Sequence, residues 1–175
     1  MGCSDPWTHD ALCRRAQRWL AGTMRCGVVL REFTSSATET PDAIGWSDCG
    51  RSSVLVECKT SRADFFAERN KPARRNPWLG VGEFRWYFTA PGLLYPSELP
   101  VGWGLAEVHG SPERSTVRKA VAPGLQAGRN MRAEMAMMYS VMRRALEGLG
   151  VDVLTERALL GADSLRLASE DGGDR

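Results

Sequence analysis

No apolar run in this sequence approaches the roughly 18 residues that a membrane-spanning helix needs. The amino terminus, Met1 to Pro6, lacks the basic and apolar regions of a secretory signal. Both absences point to a cytoplasmic protein with no membrane partner. Histidine is scarce. His9 and His109 stand in unrelated segments with no neighbouring Ser or Cys motif, which removes the ground for a hydrolase triad. No GxxxxGK[ST] stretch occurs, so a nucleotide triphosphate has no phosphate loop to bind. Internal repeats are also missing. The five cysteines (Cys3, Cys13, Cys26, Cys49, Cys58) are odd in number and include no CxxC pair, which suits reduced thiols in the cytosol. Cys3, His9 and Cys13 could be combined as zinc ligands, but their spacing matches no common zinc module. A net charge of only +2 does not by itself name nucleic acid as a partner.

What is present is one domain's worth of chain, 175 residues, with 43% apolar and 25% charged content. The charge is unevenly spread. Between Arg62 and Arg85 lie six basic residues (Arg62, Arg69, Lys71, Arg74, Arg75, Arg85) against three acidic ones (Asp64, Glu68, Glu83). Such a band can neutralise phosphates, or it can be a solvated surface with ordinary salt bridges.

Asp5-Pro6 reads as the start of a helix running to about Ala21, with Trp7, Ala11, Ala16, Trp19 and Leu20 on its apolar face. Cys26 to Phe33 is strand-like. Two short strands follow, Thr40 to Ser47 and Ser52 to Lys59, joined by Asp48-Cys49-Gly50-Arg51. Ser61 caps a helix with Asp64 at the capping-box position, and Pro72 ends it. Lys71 to Gly82 reads as a loop. Strands are predicted over Glu83 to Ala90 and Gly102 to His109, with a shorter one near Thr116 to Ala120. Arg129 to Leu146 is the longest predicted helix, and the stripe Met131, Met135, Met138 and Met142 reads as core. The order predicts an α/β fold, a central mixed β-sheet flanked by helices. A single domain over residues 1–168 and a disordered tail over 169–175 are expected.

The hairpin carries the chemistry. With Cys49 and Gly50 central in the turn, opposed residues have numbers summing to 99, so Asp42 faces Glu57 and Ile44 faces Leu55. Opposed residues share a side of the sheet, and Glu57 and Lys59 share one by alternation. Two facing carboxylates repel unless a cation offsets them, and carboxylate oxygens are the ligands Mg²⁺ prefers. The plainer reading is a surface hairpin in which Lys59 pairs with Glu57. A register slip of one residue would move Asp42 to the other face.

Pro41-Asp42, followed by Glu57-Cys58-Lys59 at the end of a short apolar strand, resembles the PD-(D/E)xK nuclease signature. Glu57 to Phe65 reads ECKTSRADF, which is similar to the E-x-K-[ST]-S-R-A-D-F run of the MmcB-like DNA-repair branch of that superfamily. The likeness extends from about Leu30 to Val121, through the aromatic strand Phe84 to Phe88 and the Glu98-Leu99-Pro100 turn. The resemblance implies a restriction-endonuclease-like core and a Mg²⁺-dependent nuclease cutting DNA, for which Mn²⁺ can substitute. The setting would be DNA repair, recombination or phage–host conflict. Asp42 and Glu57 match the family's metal-binding acids, and Lys59 matches the catalytic lysine acting on the attacking water. Glu32 matches an upstream acid of many members, and the backbone carbonyl of Cys58 would be a further metal ligand. Loss of Lys59 is expected to spare the fold.

Arg62 can reach a phosphate or a nearby carboxylate. Lys71, Arg74, Arg75 and Trp78 lie in a loop expected to border the site, gripping the DNA backbone or stacking on a base, with Arg85 completing the basic band. The reading of a different class is a catalytically silent DNA-binding or protein-docking module of the same fold. A homodimer is compatible with either.

Overall fold

The computed structural model describes residues 7–149 except 38, 69, 70 and 127. The helix start expected at Asp5-Pro6, Cys3, Arg69 and the 169–175 tail lie outside the described residues. Helix α1 (His9–Gly22) begins after Thr8, whose side chain accepts from the Ala11 N–H at 3.2 Å. Six strands follow in one sheet, in chain order: β1 (Val28–Arg31), β2 (Ala43–Ser47), β3 (Ser52–Lys59), β4 (Phe84–Thr89), β5 (Trp103–Gly110) and β6 (Ser115–Val121). The first three form an antiparallel meander, β3, β4 and β5 run parallel, and β6 returns antiparallel to β5. The connection from β3 to β4 contains α2 (Arg62–Glu68) and α3 (Pro72–Arg75), and α4 (Met131–Leu149) closes the described chain. This is an α/β fold with a mixed sheet flanked by helices. None of its helices is long and apolar enough to cross a membrane among the described residues.

Local chemistry accounts for the departures from expectation. Asp48, Cys49 and Gly50 all adopt left-handed φ (48°, 53° and 84°), so glycine is only the last of three such residues in the β2–β3 turn. Pro72 opens α3 rather than merely ending α2, because its fixed φ and missing N–H suit a first helical position. Met131 and Met135 are 64% and 67% exposed, while Ala133, Glu134 and Met137 are buried, so the core-facing stripe is offset from Met131 and Met135. The sheet and the helix turns up to Met137 belong to one compact unit; the second unit begins at Met138, and its described part is the remainder of α4.

The two faces of the sheet differ in kind. Leu12, Cys13, Ala16, Trp19 and Leu20 of α1 pack on Ala43, Val54, Val56, Cys58, Trp86, Phe88, Ala106 and Val108, an apolar core. Trp19 meets the Trp86 ring edge-on at 5.3 Å. Each buried Leu here contributes about 1.5–3 kcal/mol. The alternate residues of the same strands point the other way, and Glu57, Lys59, Arg85 and Thr89 among them are buried. Phe65 of α2 and Trp103 of β5 sandwich Tyr87 there, at 5.0 and 4.5 Å between ring centroids.

Glu134 joins α4 to this second face. Its carboxylate accepts from Trp46 Nε1, Ser53 Oγ and the Gly82 N–H, each at 2.9 Å. Glu134→Ala leaves three buried donors without an acceptor and is expected to cost about 3–5 kcal/mol in urea unfolding. Glu134→Gln, which keeps one acceptor oxygen, is expected to cost less.

Candidate metal-dependent active site

Strand β3 delivers Glu57 and Lys59 on its last turn of alternation, 3% and 2% exposed. The β2–β3 register is the expected one: Ile44 opposes Leu55 and Ala43 opposes Val56. Asp42 lies one residue before β2, so the next opposed position is Glu57. Its carboxylate, however, reaches along the strand end. Oδ2 accepts from the Cys58 N–H at 2.7 Å, and Oδ1 lies 3.3 Å from His9 Nε2 on α1. Asp42 thus joins the strand end bearing Glu57 and Lys59 to the first turn of α1. The Cys58 thiol itself points into the α1 core.

Around these three stands a network of further charges. Lys59 Nζ is bonded to Glu68 Oε2 and lies 3.7 Å from Glu57 Oε2 and 3.6 Å from Asp64 Oδ2. Arg74 Nη2 lies 2.9 Å from Glu57 Oε1, and Nη1 is bonded to Glu39, while its guanidinium covers the Trp103 ring at 4.8 Å. Glu39 also accepts from the Val81 N–H at 3.0 Å. Burial pushes the Glu57 carboxyl up to about 8, with Asp42 adding to the rise and Arg74 and Lys59 opposing it. Burial raises Asp42 as well, against the Cys58 N–H and His9. On Glu68 burial is outweighed by hydrogen bonds from Lys59 and Lys71, which bring it down to about 2. Burial disfavours charge on Lys59, but Glu57, Glu68 and Asp64 more than offset it and hold the ammonium above its ordinary value.

Among the described side chains, two buried oxygens make no well-formed hydrogen bond. Glu57 Oε1 makes none despite its short approach to Arg74, whose N–H groups are poorly aimed at it, and the Tyr87 hydroxyl makes none either. Tyr87 feels Arg74 and Glu57, and burial pushes its pKa up to about 12. A buried carboxyl oxygen of this kind suits a hard divalent cation, which would favour its ionised form, and Asp42 and Glu57 could supply the oxygen donors such an ion takes.

Several expected site residues serve other purposes. Glu32 has a left-handed φ of 49°; its N–H donates to the Asp42 carbonyl at 3.1 Å, and its half-exposed side chain lies 3.9 Å from Arg31. Arg85 is fully buried and donates to the carbonyls of Ala73, Pro77 and Gly82 at 2.8–3.1 Å, so it holds the 73–82 segment down instead of touching phosphate. Arg74 is likewise interior. A guanidinium has five donors, and once buried it must spend them on internal acceptors. Arg62 takes the carboxylate alternative: it donates to Glu98 Oε1 and Oε2 at 2.5 and 3.0 Å, between the rings of Phe66 and Tyr95. Lys71 is exposed and bonded to Glu68. Trp78 is 64% exposed, with its ring so close to Gly128 that a Cβ there would collide with it. The Arg75 side chain lies outside the described residues.

Glu39, Glu68 and Tyr87 carry no site motif in the sequence, and His9 enters it only as a possible zinc ligand with Cys3 and Cys13, not as a neighbour of Asp42. His9 carried a usable signal, its four-residue spacing from Cys13 on one helix face. Glu68 stands on the face of α2 that meets Lys59. Nothing local in the sequence marks Glu39.

No family model matches the chain, and no curated protein does. Among solved structures it is similar to the SPO1766 protein of unknown function from Silicibacter pomeroyi, with a TM-score of 0.53 and 24% identity over 84% of this chain and 98% of that one. That likeness speaks to the fold alone.

Arg74→Met removes the cation that two buried carboxylates share and is expected to cost about 3–5 kcal/mol by urea titration. A second expectation concerns pH in the metal-free protein. The folded-state value of Glu57, about 8, exceeds the ordinary 4.5, so its contribution is full below pH 4.5 and lost as pH rises through 8. Glu68, at about 2, contributes fully above 4.5 and loses that as pH falls toward 2. Stability should therefore decline between pH 4.5 and 8, by at most about 1.4 kcal/mol per pH unit, and Glu57→Gln should flatten the decline.

Proposed function

We propose that this protein is a metal-dependent deoxyribonuclease with a PD-(D/E)xK core. The observation that carries the reading is the buried Glu57 carboxyl, one oxygen of which makes no well-formed hydrogen bond although Arg74 lies 2.9 Å away, placed beside Lys59 on the strand that pairs with β2 just after Asp42. The ECKTSRADF run supports the nuclease class, and with it DNA as substrate. The succession of α1, an antiparallel three-stranded meander, α2 and a strand parallel to β3 supports the core assignment.

Asp42 and Glu57 would hold Mg²⁺, or Mn²⁺ in its place. Such an ion supplies Lewis acidity toward the phosphate and a lowered pKa for the attacking water. The chain's own part is positioning. The Cys58 N–H fixes the Asp42 carboxylate. Lys59, kept cationic by Glu68, brings a positive charge to bear on the water or on a phosphate oxygen. Burial of Glu57 strengthens every charge interaction at the centre.

One feature favours a second reading, a silent DNA-binding or docking module. Lys59 and Arg74 already offset the carboxylates from within. The two readings separate in one assay, with the purified protein and linear, nicked, branched and single-stranded DNA, with and without Mg²⁺ or Mn²⁺. A nuclease cuts only with metal, and Glu57→Gln loses both cleavage and Mn²⁺ binding. Lys59→Met should lower cleavage on the order of 10² or more while Mn²⁺ still binds. Because Lys59 is buried among three carboxylates, its loss also lowers stability, and a melting curve for each variant keeps the effects apart. Cleavage that persists in excess EDTA rejects the mechanism, and metal-independent DNA binding without cleavage selects the silent module.

A further inference from the structure

The first turns of α1 and the start of β2 bring three potential ligands together away from Glu57. Helical spacing sets His9 and Cys13 on one face, with Cys13 Sγ 3.4 Å from His9 Nε2. Asp42 Oδ1 lies 3.3 Å from the same nitrogen, and all three ligand atoms fall within 4.8 Å of one another. Tetrahedral zinc with ordinary bond lengths separates a nitrogen and a sulfur ligand by about 3.6 Å, and a nitrogen and an oxygen ligand by about 3.4 Å. The two separations are close to these values; in the metal-free protein the same contacts hold His9 Nε2 between Cys13 Sγ and Asp42 Oδ1.

We infer that His9, Cys13 and Asp42 form a site for a thiophilic divalent cation, of which Zn²⁺ is the representative. The donor set excludes Mg²⁺ as the preferred occupant, since a thiolate and an imidazole suit zinc and a carboxylate alone suits magnesium. Orientation is built in. The Cys58 N–H holds Asp42 Oδ2 and leaves Oδ1 facing His9, as a supporting shell does for a metal-bound carboxylate. The Thr8 cap fixes the helix turn on which His9 stands. Access is open on one side, since the His9 side chain is 44% exposed whereas Cys13 is buried. Among the described residues no fourth side-chain ligand joins the three, which leaves a position for water or a substrate oxygen, the form that catalytic zinc sites take. Binding displaces the Cys13 thiol proton to solvent and forms the metal–sulfur bond; no electron is transferred.

The inference goes beyond the nuclease reading and shares only Asp42 with it. Cobalt(II) is the probe. Titrating the metal-free full chain with Co²⁺ should raise a thiolate-to-cobalt absorption band at one equivalent, which Zn²⁺ bleaches and excess Mg²⁺ does not. Cys13→Ser should remove the band. His9→Ala, at a half-exposed position that the core does not need, should weaken Co²⁺ binding about tenfold or more. Glu57→Gln should leave the band in place, so loss of cleavage and loss of this site are separate outcomes. Absence of the band in the parent overturns the assignment. So does a band that survives both Cys13→Ser and His9→Ala, since it would belong to another cysteine. If Cys13→Ser fails to fold, the response of His9→Ala decides.

Discussion

Arg74 is the residue on which the polar half of this protein depends. Two acidic side chains, Glu39 and Glu57, are buried beneath it, and its guanidinium is the cation that both of them meet. Because Arg74 stands on α3, the whole segment between α2 and β4 must dock on the sheet to deliver it. Arg85 secures that docking from below, through three carbonyls of the same segment. The Trp103 ring gives the guanidinium a flat face to rest on, and Trp103 in turn stacks on Tyr87. A single charge requirement therefore connects α3, β3, β4 and β5.

The contrast with the other face explains why the site is where it is. Beneath α1 the sheet is apolar and close-packed, and it needs nothing but shape and burial. The same strands, through their alternate residues, carry acids and bases into the opposite layer. Strand β3 is the extreme case: Val54, Val56 and Cys58 support the core while Glu57 and Lys59 are held in the charged layer. The core fixes the strand, and the strand fixes the carboxylate.

Much of this was legible because it is local. The Ser52 to Lys59 strand, the Ser61 cap and the pairing of Ile44 with Leu55 follow from alternation, a side-chain hydrogen bond and a turn length. The partners of the arginines are not legible, for an equally physical reason. A run of cations looks the same in sequence whether it meets solvent, phosphate or buried acids, and the partners that settle it are remote: Glu39 lies far before Arg74, and Glu98 well after Arg62. The meeting of His9 with Asp42 is likewise tertiary. It exists only because α1 packs across the start of β2. The core face of α4 is not legible from the stripe Met131, Met135, Met138 and Met142, because a flexible apolar side chain fits core and surface alike; Met137 and the charged Glu134 take the buried positions.

The parallel seam between β3 and β4 has a kinetic consequence. Its two strands are joined only through α2 and α3, so the pairing closes a long stretch of chain, whereas the β2–β3 hairpin closes a short one. Loop-closure entropy delays the first relative to the second. The hairpin that carries Glu57 and Lys59 can thus exist before Arg74 arrives.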